Sequence, residues 1–439
     1  MKLFIVLLTG AFMLATGTSD VFAKKKEKVQ TEAKSDTVRT ASKKRNTQYP
    51  RLFKNKRVVT KKGLITIHKI DDKLYFEFLK SLLGREFLMG SSISATSDNT
   101  SGLVGQTMTT PLHIRFAIQE DQVYMQNVTP VSRMDVYSNQ SDISKAVAKS
   151  NITPDMESFK IAAYNMDSTA VVFEVTKFFL ADNKRLPLFD QNSSSLEDEK
   201  YGQLELKAVL KKNLSSIRNF YVFDDNLEIN LDMSFYQSLL ASKKEVRGGN
   251  VRVKAVYSML LLPEETMVWR LGDPRLGYTF TKKQKISTEK DGTAFSYLQH
   301  KWNLLPADEE AYRRGDLVAP RKPVVFYIDS DFPEAWKKAI KEGVNWWNEA
   351  FKMAGFKDAV QTADFPANDT TFYAGNLKYS CIRYVPVNLS KTQSKVWVDP
   401  RSGEIINGTI FVGHDIAKTI ASQRFVQTAQ VDERMRGIQ

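Results

Sequence analysis

Four histidines, one cysteine and 50 acidic residues are the side chains of this 439-residue chain best suited to chemistry. The histidines are His68, His113, His300 and His414. Two histidines at i and i+4 put both imidazoles on one helical face, where Zn²⁺ can bind them. A glutamate between them then serves as general base toward the metal-bound water. No H-E-x-x-H occurs in the chain, and no two of its histidines are close in sequence. His414, in Gly413-His414-Asp415, has Ile410 and Lys418 where an i−4 or i+4 partner would stand. It reads as a polar residue leading into a helix, and no metal ligand is assigned. Cys381 sits in the strand-like run Tyr379-Ser380-Cys381-Ile382-Arg383. A single cysteine cannot form an internal disulfide, and no histidine lies near it in sequence to activate a thiolate. It is read as a buried core thiol. Glycosidase-type carboxylates need a defined separation in space, and spacing along the chain singles out no pair.

The elements that would position such groups fall into two kinds. From Pro111 to Pro263 the dominant period is two. Leu112 to Ile118, a polar turn, then Val123 to Met125 predict a hairpin. Ala170 to Phe179, Asn219 to Val222, Leu227 to Met233 and Val251 to Leu262 continue as strands between polar turns, which predicts an antiparallel β domain. Helical interruptions are predicted at Ile143 to Asn151 and Phe235 to Ala241. Before this region, Leu64 to His68 is strand-like. Leu74, Phe78, Leu79 and Leu82 have helical spacing that ends at Gly84, and Ser91 to Thr110 reads as a loop. After Pro323 the pattern changes. Val324 to Ile328 is an apolar strand. Asp331 and Pro333 mark the start of a long helix to Ala354, stopped by Gly355. Trp336, Ile340, Val344, Trp347 and Phe351 form its apolar stripe, predicted to pack on a sheet. Strands at Ile382 to Val387 and Ile405 to Val412 follow, and Asp415 to Arg424 is helix-like.

Three blocks of this C-terminal segment carry a resemblance. They are Phe326-Tyr327-Ile328-Asp329 leading to Trp346-Trp347-Asn348-Glu349-Ala350-Phe351, then Tyr379 to Pro386, then Trp397-Val398-Asp399-Pro400-Arg401-Ser402-Gly403-Glu404-Ile405. In this order they resemble the first half of the catalytic domain of secreted bacterial zinc metalloproteases of the zincin and metzincin type. The particular family carries two uncharacterised domains ahead of its protease domain, and residues 40–90 and 100–290 resemble those less distinctively. The resemblance implies an α+β fold: an antiparallel β-rich N-terminal region followed by a partial zincin-like α+β subdomain. It implies zinc as cofactor and a peptide or protein substrate for the full-length family. It also implies a sheet-edge strand that pairs with extended substrate. Carried over, that strand is Asn407, Gly408, Thr409, Ile410 and Phe411, with Gly408 allowing close approach of the substrate backbone. The chain stops before the zinc helix, so neither catalytic residue nor zinc ligand is assigned to it and it is expected to be inactive. Apolar surface is expected to lie uncovered between Val396 and Phe425. The alternative is a non-catalytic secreted protein that binds peptide or glycan.

The net charge of +13 suggests a nucleic-acid binder until it is located. Residues 24–62 hold fifteen Lys or Arg against Glu27, Glu32 and Asp36, which is +12, and residues from Gly63 onward carry about +1. The basicity belongs to one tail, so nucleic acid is not expected as a partner. Lys2, the apolar run Leu3 to Ala15 and Val21-Phe22-Ala23 form a secretory signal pattern, with a periplasmic or extracellular product expected. No other run is apolar enough for a transmembrane helix. The expected organisation is a signal peptide at 1–23, a basic leader at 24–50, a small N-terminal domain at 51–95, a β-rich domain at 96–300, and a truncated zincin-like unit at 320–439.

Overall fold

The computed structural model describes residues 48–428, apart from short stretches at 99–101, 106, 130–133, 137–144, 147–148, 190–195, 199, 201, 287–292, 367, 370–371 and 388–392. The signal-peptide and most of the basic-leader expectations lie outside the described residues, as do residues 143, 144, 147 and 148 of the helix expected at 143–151, in which 145–146 and 149–150 are helical.

The N-terminal strands are β1 (Val58–Lys62), β2 (Thr66–Ile70), β3 (Lys73–Leu79), β4 (Glu86–Thr96), β5 (Leu112–Gln119), β6 (Gln122–Asn127), β7 (Met134–Val136), β8 (Asp155–Tyr164), β9 (Ala170–Glu174), β10 (Leu196–Asp198), β11 (Gly202–Leu210), β12 (Ser216–Val222), β13 (Asn226–Ala241) and β14 (Lys244–Leu261). All but β7 join one antiparallel sheet, in the order β1-β2-β3-β9-β8-β6-β5-β4-β14-β13-β11-β10, with β12 also on β13. The segments 51–95 and 96–300 thus share a sheet. The sheet curls so that its first strands meet β12. Leu64 N donates to Phe223 O at 2.6 Å, and Lys69 Nζ donates to Ile217 O at 2.7 Å. The curl encloses a phenylalanine-rich core that includes Phe76, Phe78, Phe87, Phe116 and Phe173. Burying these rings is the main stabilising term of this half, about 25 cal/mol for each Å² of apolar surface removed from water.

The pairing within this sheet corrects three expectations. Lys73–Leu79 is strand β3, not helix: it is paired by β2 and β9, and Leu74, Phe76 and Phe78 on one face are fully buried in the core while Lys73, Glu77 and Leu79 stand on the other. Ser91–Thr96 continues β4 instead of opening a loop. Phe235–Ala241 is the end of the 16-residue β13, paired with β11 on one side and β14 on the other. The hairpin at 112–125 forms as expected, with Glu120 in the left-handed region at its turn. A smaller sheet joins β7 to β15 (Phe280–Ile286) and β16 (Thr293–Gln299).

The C-terminal layer is α+β. Its strands are β17 (Val324–Ile328), β18 (Val360–Asp364), β19 (Ser380–Val385), β20 (Gln393–Val398) and β21 (Ile405–Gly413), ordered β18-β17-β19-β21-β20. The first four in that order run parallel, and β20 is antiparallel to β21. The predicted long helix is present in two pieces, α1 (Glu334–Asn345) and α2 (Trp347–Met353), interrupted at Trp346. Trp336, Ile340 and Val344 pack on one face of the sheet against Ile328, Phe332 and Ile382. Phe351 packs on a separate cluster with Phe356 and Val318. Trp347 does not join the stripe and is 65% exposed. The break at Trp346 separates the two pieces, and Trp347 falls outside the face that meets the strands. The last described element is α3 (Ile416–Thr428).

Candidate functional site

The five residues expected to form the substrate-pairing edge do not lie at an edge. Asn407, Gly408, Thr409, Ile410 and Phe411 are in β21, which pairs with β19 on one side and β20 on the other. Asn407 spans inward, its Nδ2 donating to the carbonyls of Leu377 and Tyr379 at 2.9 and 2.8 Å. Gly408 N donates to Ser380 Oγ at 3.1 Å, so that backbone is already engaged. Sequence order misleads here because β20 precedes β21 in the chain but lies outside it in the sheet. The outer strand is β20, and no described strand pairs with its free side.

The turn that returns β20 to β21 explains the Asp399-Pro400-Arg401-Ser402-Gly403 block. Asp399 is buried and accepts from Arg401 N at 2.9 Å and from its guanidinium at 2.7 to 3.1 Å. Gly403 closes the turn at φ +79°, where a side chain is disfavoured. Arg401 also reaches β4, 3.5 Å from Glu86, and donates to Pro263 O at 2.7 Å. The hairpin is therefore anchored to the large sheet.

That anchoring brings two sheet faces together. Strand alternation puts Trp397, Lys395 and Gln393 of β20 on the same face as their partners Asn407, Thr409 and Phe411. This face meets rows of the large sheet formed by Ser92, Val256 and Asn230, and by Gly90, Ser258 and Glu228. One end of the contact is apolar: Trp397, 0% exposed, packs with Leu88, Leu260, Leu262 and Leu377. Gly90 makes room for it, since a Cβ there would lie 3.2 Å from Trp397 Cη2. The indole Nε1 is buried without a hydrogen-bond partner.

The other end is polar and hollow. A cavity of about 380 Å³ lies between the sheets, with Lys395, Arg383, Glu228 and Tyr373 among its lining residues. Lys395 Nζ donates to Ser92 Oγ at 3.2 Å and lies 5.2 Å from the centroid of the Trp397 ring. Burial pushes the Lys395 ammonium down to about 8; Glu228 opposes this and Arg383 adds to it. Glu228 accepts from Tyr373 Oη and from Asn230 Nδ2 at 2.9 Å. Burial, with Glu228 next, raises the Tyr373 phenol far above its ordinary value, so it stays protonated as a donor. Tyr373 is fixed by stacking on Tyr221, with centroids 4.1 Å apart. This grouping gave no signal in the sequence beyond Lys395 alternating with Trp397 in a strand-like run.

Among the described residues no set of side chains fits a zinc site. His68 is held between Thr60 and Glu77, each at 2.8 Å. His113 meets Glu86 at 2.9 Å and His300 meets Thr281 at 2.9 Å. His414 bonds Tyr384 Oη and stacks on Trp336, at the entry to α3. No three His, Cys, Asp or Glu side chains converge as metal ligands among the described residues. Cys381 is fully buried, and burial pushes its thiol up to about 12, which leaves it inert. The expectation of uncovered apolar surface from Val396 to Phe425 holds only locally. Trp397 and Phe411 are buried against the large sheet, while Val396, Ile420 and Phe425 are exposed.

Comparison with known proteins adds two family models. Residues 47–96 match a domain of unknown function, DUF5118, and residues 105–307 match a second, DUF5117. These spans correspond to the curled sheet with the smaller sheet beside it. No curated protein and no solved structure matches the chain.

Proposed function

We propose that residues 320–439 are a peptide-binding α+β unit related to the leading half of a secreted zinc metallopeptidase catalytic domain. By this reading the 439 residues bind an extended peptide or protein chain and do not hydrolyse it. The observation that carries the reading is the outer side of β20. It is an antiparallel-paired strand whose outward backbone groups meet no described strand, and Ser394 and Val396 beside it are exposed. An added peptide strand would complete the ladder by main-chain hydrogen bonds. Hydrolysis in the related family draws on zinc and a general base held by an H-E-x-x-H helix, and no H-E-x-x-H occurs in this sequence. The Lys2 to Ala23 pattern supports export to the periplasm or beyond. Among the described residues no helix is long and apolar enough to cross a membrane.

The test uses unfolded casein as the extended probe. Amide hydrogen exchange across 393–398 should slow on casein addition, while chelator-sensitive cleavage of labelled casein and stoichiometric zinc should both be absent. Unchanged exchange at β20 would remove the peptide-binding reading, and zinc-dependent cleavage would remove the inactive one. N-terminal sequencing of exported protein checks cleavage after Ala23.

A further inference from the structure

We propose that the cavity between the two sheets is a binding site for a small organic carboxylate, gripped by Lys395 and Arg383. It is separate from the peptide edge and does not depend on that reading. Lys395 and Arg383 line the cavity, and neither makes an ion pair with a described carboxylate. An ammonium has three N–H donors, and among the described residues Lys395 makes one hydrogen bond, to Ser92 Oγ at 3.2 Å. The Arg383 guanidinium lies over the Phe411 ring, 5.7 Å from its centroid, and makes no ion pair among the described residues. The one carboxylate in the lining, Glu228, is beyond ion-pair distance of Lys395 and already accepts from Tyr373 and Asn230. Charges drawn out of water are ordinarily paired, so two half-buried cations facing one hollow, neither in an ion pair with Glu228, define the missing partner by its charge.

Volume and lining narrow the class. About 380 Å³ falls at the small end of ligand pockets, roughly 300–1,000 Å³. Two cations and one carboxylate leave the lining at +1, which a monoanion neutralises and a dianion overshoots. Val104, Val385, Val387 and Phe411 give one wall an apolar character suited to a short hydrocarbon or aromatic tail. The polar groups of Ser92, Asn230 and Thr409 can complete hydrogen bonds to carboxylate oxygens.

The experiment follows the Trp397 indole ¹⁵N–H resonance, identified by its loss in Trp397→Phe, while whole protein is titrated at low salt with benzoate, butyrate or inorganic phosphate. Benzoate and butyrate should give saturable shifts, with affinity at least tenfold weaker in Lys395→Met and in Arg383→Met. Circular dichroism checks that both variants fold, and Lys395→Arg, which keeps the charge, should retain most of the affinity. Absence of saturation with both carboxylates, or equal affinity in the two Met variants, overturns the proposal. Phosphate binding more tightly than either carboxylate overturns the assigned class.

Discussion

Replacing Lys395 by methionine should stabilise the protein at neutral pH, although it removes a hydrogen bond. The unfolded chain holds this proton with the ordinary value of 10.5, and the folded chain holds it only to about 8. Each pH unit of that gap corresponds to ~1.4 kcal/mol, so keeping the ammonium charged inside the fold at pH 7 costs on the order of 3 kcal/mol. Methionine keeps an unbranched stem without the charge. The lost bond to Ser92 Oγ offsets about 1 kcal/mol of the gain. The net expectation is a gain of about 1–3 kcal/mol. The sign with pH follows from proton counts. Between about 8 and 10.5 the unfolded wild type binds a proton that the folded one has released, so wild-type stability from this group rises with pH. The advantage of Lys395→Met should therefore shrink by roughly 2 kcal/mol between pH 7 and 9.5. Tyrosines that titrate in that range are common to both proteins and cancel in the difference. Urea unfolding followed by circular dichroism at the two pH values measures both quantities. A Lys395→Met midpoint at or below wild type at pH 7, with unchanged slope, would refute the account of an unpaired, half-buried charge. So would a difference that does not move with pH.

Three further outcomes test the contact between the sheets. Trp397→Ala should cost about 3–5 kcal/mol in urea unfolding, through the cavity left among Leu88, Leu260, Leu262 and Leu377. Trp397→Phe should cost clearly less, because it also removes an indole N–H that has no partner. Gly90→Leu places a side chain where even a Cβ meets Trp397, and should lower stability by about 1–3 kcal/mol or more, read as a lower melting temperature. Burial raises the Glu86 carboxyl, but the bond to His113 and the Arg401 and Arg115 charges outweigh it and hold the group below its ordinary 4.5. Its stabilisation is present above that value and lost as pH falls through the folded one. Glu86→Gln should thus cost roughly 1–2 kcal/mol at pH 7, and the cost should shrink as pH falls below 4.5, in paired denaturation curves.

What could be read from the sequence depended on whether an element's apolar residues fit one period and not another. Leu112 to Met125 alternates because one side of the hairpin is less covered, and it was legible. Lys73–Leu79 and Phe235–Ala241 are paired on both sides within the sheet, β3 by β2 and β9 and the end of β13 by β11 and β14, and each carries large apolar residues at positions that also fit a helical spacing. The α1 stripe was legible at Trp336, Ile340 and Val344 but not at Trp347, because an interruption at Trp346 cannot be seen in spacing. The identity of the edge strand was hidden for a topological reason: consecutive strands need not be consecutive neighbours in a sheet. Ser92, Glu228 and Lys395 come from strands far apart in the chain, and only their registers bring them together.

The two readings of β20 use different parts of the same strand, and this makes them separable. Peptide addition uses backbone N–H and C=O groups directed out of the free side. The cavity uses the side chain of Lys395, which stands perpendicular to that direction. A substitution at Lys395 changes the cavity and leaves the backbone ladder of the edge in place, since Trp397 and the anchored Asp399–Gly403 turn still hold the strand to the large sheet. Loss of carboxylate binding with intact protection of 393–398 by casein would therefore locate the two activities on opposite aspects of one strand. Joint loss would mean that Lys395 supports the position of β20 itself, and the predicted gain in stability of Lys395→Met argues against that.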